Sequence, residues 1–183
     1  MPGKKFYIGN YTLEAIAAPG HTPGQLCLWI AREGVMFTAD HVLFDITPNI
    51  AMWPNMPDAL GSYLDSLGKF KNFEVTLALP GHRETGDYYA RIDALLAHHN
   101  HRIAETKQIV QSHPGLLAYE IAGLMTWKIK ADTWDQFPLI QKWFAVGECL
   151  SHLDYLRQRG EIIRLTNGNV HRYLPASHPQ KLS

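Results

Sequence analysis

The chain has 183 residues, 46% hydrophobic and 19% charged, which allows one large domain or two small ones and excludes a disordered or fibrous protein. Seventeen Lys and Arg balance seventeen Asp and Glu, and a mild acidic excess before residue 90 gives way to a mild basic excess after it. That is far from the basic stripe of a dedicated nucleic-acid binder, and no apolar run approaches the roughly 18 residues of a membrane span.

No signal-like apolar region follows Met1, so a cytoplasmic protein is expected, with the widely separated Cys27 and Cys149 reduced and buried as small hydrophobes. Residues 11–17 read as a strand that breaks at Pro19-Gly20-His21-Thr22-Pro23-Gly24, where two prolines and two glycines put His21 on a tight loop. Leu26–Ile30 and Val35–Thr38 read as further strands separated by a turn at Arg32-Glu33-Gly34, and the second runs into Ala39-Asp40-His41. Leu60, Leu64 and Leu67 predict a helix over 58–70 with Asp58 as its N-cap. Val75–Leu79 predicts a buried strand that ends at Pro80-Gly81-His82.

The remainder reads as mainly helical. Ile92, Leu95, Leu96, Ile103 and Val110 predict one long helix from Tyr89 to about Gln111, stopped by His113-Pro114-Gly115. Helices over about 117–125 and 138–158 follow, then a hairpin of 161–165 with 170–174 around Asn167-Gly168-Asn169. A boundary is expected between about 85 and 100, dividing the chain into residues 1–88 and 89–183.

Three segments share one grammar: a strand ends and a metal-capable side chain follows on the loop. They carry His21, Asp40 and His82. Strand ends converge at one edge of a sheet, and imidazole and carboxylate suit zinc or a similar divalent ion. A lone loop histidine is commonly structural; three such loops in this order make a stronger pattern.

In these segments the sequence resembles the metallo-β-lactamase superfamily, in particular its hydroxyacylglutathione hydrolase-like branch. Pro-Gly-His-Thr-Pro-Gly, the strand-terminal Asp40 and Leu-Pro-Gly-His are similar to the family's third, fourth and fifth motifs. The resemblance implies an α/β fold, the second half of an αββα sandwich, and two divalent metal ions, zinc foremost with iron or manganese as alternatives. It makes His21 a ligand of the first ion, Asp40 a catalytic bridge between both, and His82 a ligand of the second. Leu117–Ala122 and Gly147–Gly160 resemble parts of the mainly helical winged-helix domain attached to one branch of the superfamily.

The family's H-x-H-x-D-H motif is absent before His21, and His99-x-His101 lies on the wrong side of it and on a predicted helix. The sequence is therefore expected to be part of a longer protein, with about two ligands per ion against the usual three, and with weak or no catalysis by itself. The apolar sheet face meant for the first half would lie open or pair with another copy as a homo-oligomer. His41 is a candidate for orienting a ligand and Arg83 for lining a substrate entrance. His99, with His98, His101 and Arg102, is expected on a partly exposed helix face, or else turned to the metal cleft. Trp127, Trp134, Phe137, Trp143 and Phe144 read as core aromatics, the competing reading being a nucleic-acid surface shared with Lys128, Lys130 and Lys142.

The function expected is metal-dependent hydrolysis of a small ester, thioester or phosphodiester by activated water. The alternative is a winged-helix module binding nucleic acid or protein, with a degenerate non-catalytic half attached; nucleic acid is not favoured, and a membrane partner is not expected.

Overall fold

The structure, a computed structural model, describes residues 2–129 and 131–176; Lys130 lies outside them. The chain divides into two compact units, Met1–His99 and Asn100–Ser183.

The first unit is built on a five-stranded sheet in the order β1 (Lys5–Ile8), β2 (Tyr11–Ala17), β3 (Leu26–Ile30), β4 (Val35–Ala39) and β5 (Leu77–Pro80). The first four strands pair antiparallel, while β5 joins β4 in parallel. Consequently β2, β4 and β5 all point the same way, and their C-terminal ends lie along one sheet edge. The link from β4 to β5 carries α1 (Ala59–Phe70), as a parallel pair requires a crossover. Asp58 caps α1 by accepting from the Gly61 N–H at 2.9 Å. The buried face of α1 is Leu60, Tyr63, Leu67 and Phe70; Tyr63, not Leu64, is the fully buried residue of its second turn.

The two sheet faces differ. On one, the registered row Trp29, Met36 and Ala78 is buried, and the Trp29 ring meets Phe73 just beyond α1 at 5.6 Å. On the other, Ala15, Leu28, Phe37 and Leu79 stand in register across four strands, with Phe6 beside Leu13 on β1 and β2. This second face is apolar throughout, yet Phe6, Leu26, Phe37 and Leu77 remain exposed on it.

Helix α2 (Tyr88–Ser112) starts where Asp87 accepts from the Ala90 N–H at 2.9 Å, and the division between the units falls within it. Its buried residues are Tyr88, Ile92, Leu95, His99, Arg102, Thr106 and Val110, a stripe at helical spacing in which polar residues replace apolar ones midway. His99 and Arg102 are thus buried, not on the partly exposed face expected from sequence.

The second unit packs α3 (Ala118–Leu124) and α4 (Leu139–Gln158) with the hairpin β6 (Ile162–Asn167) and β7 (Val170–Pro175). Ile121, Cys149, Leu153, Leu156, Ile162 and Tyr173 share one core. The hairpin loop is the pair Gly168-Asn169, and Gly168 has φ +58°, which a two-residue loop favours glycine to supply. Arg102 is a hub: it donates to Glu105 at 2.5 Å and to the Thr126 carbonyl at 2.7 Å, pairs with Glu148 at 3.4 Å and stacks on Trp127 at 4.2 Å. Trp127 and Trp134 pack on the core, as expected, but Trp143 and Phe144 are exposed with Leu139 and Ile140 at the start of α4. No helix among the described residues is long and apolar enough to cross a membrane.

Candidate metal centre

His21, Asp40 and His82 come together because each follows the C-terminal end of β2, β4 or β5 at the shared edge. Their side chains are 28%, 37% and 47% exposed respectively, so the cluster opens to solvent. Asp40 stands between the two histidines: His21 Nε2 lies 3.7 Å from Oδ2 and His82 Nε2 lies 3.5 Å from Oδ1. Each carboxylate oxygen therefore faces one imidazole. The His21 Nδ1 meets the Asn49 carbonyl at 2.9 Å, which makes Nδ1 a donor and, in the neutral ring, leaves the Nε2 lone pair toward Asp40.

The backbone around Asp40 is held unusually. Ala39 has φ +45°, a left-handed conformation that a non-glycine residue adopts at a cost of about 1–3 kcal/mol and that clusters at functional sites. The Gly81 N–H donates to the Ala39 carbonyl at 2.8 Å, tying the β4 and β5 ends together. A Cβ on Gly81 would stand 2.5 Å from Asp40 Oδ1 and 3.1 Å from the Ala39 carbonyl carbon, so only glycine lets these loops approach.

His41, read from sequence as a candidate for orienting a ligand, turns its ring into the core instead. Its Nε2 meets Ser66 Oγ at 3.2 Å, and the ring packs against Phe70 and Tyr63 at 4.6 and 5.1 Å. Burial, and secondarily the nearby His21, lowers its pKa to about 3, so the ring is neutral. His99 lies against Tyr63, edge to face at 5.4 Å. Arg83 is exposed, with φ +69°, on the loop after His82.

Several residues that shape this edge were not singled out from the sequence. Asn49 and Trp53 come from the long β4–α1 segment, and the Trp53 Nε1–H donates to the His21 carbonyl at 3.0 Å. Arg91 pins the same segment through the Leu43 and Ile46 carbonyls at 2.6 and 2.8 Å. Tyr63 donates to the His41 carbonyl at 2.9 Å. None carries a motif; helical spacing places Tyr63 on the buried face of α1, but not against a ligand loop.

The donor set suits a divalent ion in kind: two imidazoles with Nε2 directed at a carboxylate that can split its oxygens. It is short in number. Among the described residues no group of three or more His, Cys, Asp or Glu side chains could hold one ion. His21 with Asp40, and His82 with Asp40, are two pairs of candidate donors.

Residues 4–82 match the sequence model of the metallo-β-lactamase superfamily. Among curated relatives, a β-lactamase-like protein 2 homolog from Caenorhabditis elegans is 26% identical over 122 residues, 66% of this chain and 39% of that protein. An atrochrysone carboxyl ACP thioesterase from Emericella nidulans is 28% identical over 95 residues, 52% of this chain and 28% of that protein. A β-lactamase domain protein from Burkholderia ambifaria has a similar solved structure, with TM-score 0.82 and 30% identity, spanning 96% of this chain and 51% of that one. A metallo-β-lactamase family protein from Thermus thermophilus shares the fold, with TM-score 0.78 and 24% identity over 96% of this chain and 53% of that one. The chain thus spans about half or less of the length of these relatives. The match and the relatives together make the chain similar to the superfamily, most directly over residues 4–82.

Proposed function

We propose that this chain is the C-terminal portion of a metal-dependent hydrolase of the metallo-β-lactamase superfamily, and that its sheet edge supplies half of a two-metal site. The observation that carries the reading is the pair of histidine Nε2 atoms facing opposite oxygens of Asp40. His21 would hold one ion, His82 the other, and Asp40 would bridge them. When bound, such a pair of ions, zinc foremost and iron or manganese as alternatives, supplies an acidified water and Lewis-acid polarisation of a scissile carbonyl or phosphoryl group.

The residues of this chain contribute position. Asn49 fixes the His21 tautomer, Ala39 and Gly81 bring the Asp40 and His82 loops to contact distance, and the cluster stays open to a small substrate. With two ligands per ion, the remaining ligands belong to a region with the H-x-H-x-D-H motif, on a longer chain or a partner. A thioesterase among the relatives supports the thioester within the ester, thioester and phosphodiester classes. Buried Cys27 and Cys149, both free thiols, fit a reducing, cytoplasmic setting.

The test is hydrolysis of ester, thioester and phosphodiester substrates by the full-length protein. Asp40→Ala should lower turnover at least about 100-fold, the upper end of what loss of a ligand's outer partner costs. Unchanged turnover removes the assignment. The order α3, α4 and β6–β7 supports the winged-helix resemblance of the second unit. It does not favour nucleic acid: on α4, Arg157 pairs with Asp154 at 2.6 Å, and Lys142 donates to the Asp135 carbonyl at 3.2 Å.

A further inference from the structure

We propose that Tyr63 and Trp53 are positioning residues that clamp the backbones of the two loops bearing His21 and Asp40, and so set the spacing of the metal ligands. The inference rests on the metal-site reading of those two residues. Both side chains use one donor on one carbonyl. Trp53 Nε1–H donates to the carbonyl of His21 itself at 3.0 Å. Tyr63 O–H donates at 2.9 Å to the carbonyl of His41, the residue after Asp40.

Tyr63 reaches the His21 loop as well. Gly20 has φ +138°, and a Cβ there would collide with the Tyr63 Cβ and Cα. The path of the chain into His21 is therefore moulded on the Tyr63 backbone and ring. Tyr63 is fully buried, and its ring meets His41 and His99 edge to face, so it has one place to stand. One rigid side chain on α1 thus touches the loop before His21 and the loop after Asp40.

Trp53 acts from the other side. It lies in the β4–α1 segment, four residues after the Asn49 whose carbonyl receives His21 Nδ1. That segment therefore holds His21 twice, through the imidazole and through the main chain. A ligand fixed at both ends keeps its Nε2 directed without needing a metal to order it, which is the pre-organisation that metal sites draw from outer-shell partners.

The experiment compares the unsubstituted chain with Tyr63→Phe and Trp53→Phe. Each variant keeps an aromatic ring and removes the donor, and circular dichroism checks that each remains folded. The metal-free histidine ring signals are read by nitrogen–proton NMR. The clamps predict that His21 signals shift or broaden in both variants, while His171 on the β7 hairpin is unmoved. A Tyr63→Phe or Trp53→Phe spectrum with His21 superposed on the unsubstituted chain overturns the proposal. Zinc affinity, measured by competition with a chromophoric chelator, should fall about 10- to 100-fold in each variant; equal affinity in all three proteins also overturns it. Failure of the unsubstituted chain to bind zinc, or retention of affinity in His21→Ala, would instead count against the metal site itself. In that case the ring signals alone decide whether the clamps exist.

Discussion

At the scale of single residues, the site depends on an absence of atoms. Gly81 lies where any Cβ would stand 2.5 Å from Asp40 Oδ1. Gly81→Ala should push the Asp40 carboxylate away from His82 while leaving the sheet intact. Zinc affinity is expected to fall about tenfold or more, with little change in the thermal midpoint, and a metal titration paired with a melting curve checks both. The three candidate ligands were readable from the sequence because each interrupts a strand pattern with a metal-capable group on a Gly/Pro-stiffened loop. Trp53, Tyr63, Asn49 and Arg91 were not, since a side chain that donates to a distant carbonyl leaves no local pattern. His41 shows the opposite case. Adjacency to Asp40 in sequence suggested a role toward the ligands, but the two residues lie in a turn closed by the His41 N–H on the Thr38 carbonyl at 3.0 Å, and the His41 ring went to the core.

At the scale of elements, apolar periodicity located nearly every helix and strand. It misjudged α2 in its middle, where the buried stripe runs through His99, Arg102 and Thr106. Arg102 is buried there because two carboxylates, a carbonyl and an indole face receive its guanidinium. Burial is also the main cause that raises the Glu148 pKa, against the opposing pull of Arg102. A carboxyl whose folded pKa is raised contributes stability that is present below its unfolded pKa and is lost as pH rises through the folded value. The urea midpoint of the chain should therefore decline as pH rises through and just above the ordinary carboxylate range. Glu148→Gln, which stays neutral, should flatten that part of the profile, and urea titrations at a series of pH values would show it. A slope unchanged by the substitution would mean that Arg102 fully offsets the cost of burying the charge.

At the scale of the whole molecule, the open sheet face is the feature that the chain does not resolve within its first unit. Phe6, Leu26, Phe37 and Leu77 are exposed on a face with no polar alternation. Such faces pack against a second layer in stable domains. The isolated chain is expected to self-associate, with light scattering giving a mass above the 20.7 kDa of one chain. Replacing Phe37 and Leu77 together by Thr keeps strand propensity and should return the mass to that of a monomer, with the circular dichroism unchanged. The sequence by itself determined the order of the elements from β2 onward and the three loops that carry His21, Asp40 and His82, because these follow from local patterns of apolar residues, glycine and proline; the single sheet layer was expected only from the family resemblance. Only the tertiary structure decided that β2, β4 and β5 end at one edge, that Asp40 divides its oxygens between two histidines, and that aromatic donors from α1 and the segment before it hold the loops. Those relations join residues many positions apart through strand direction, burial and hydrogen bonding, and no local window of sequence contains them.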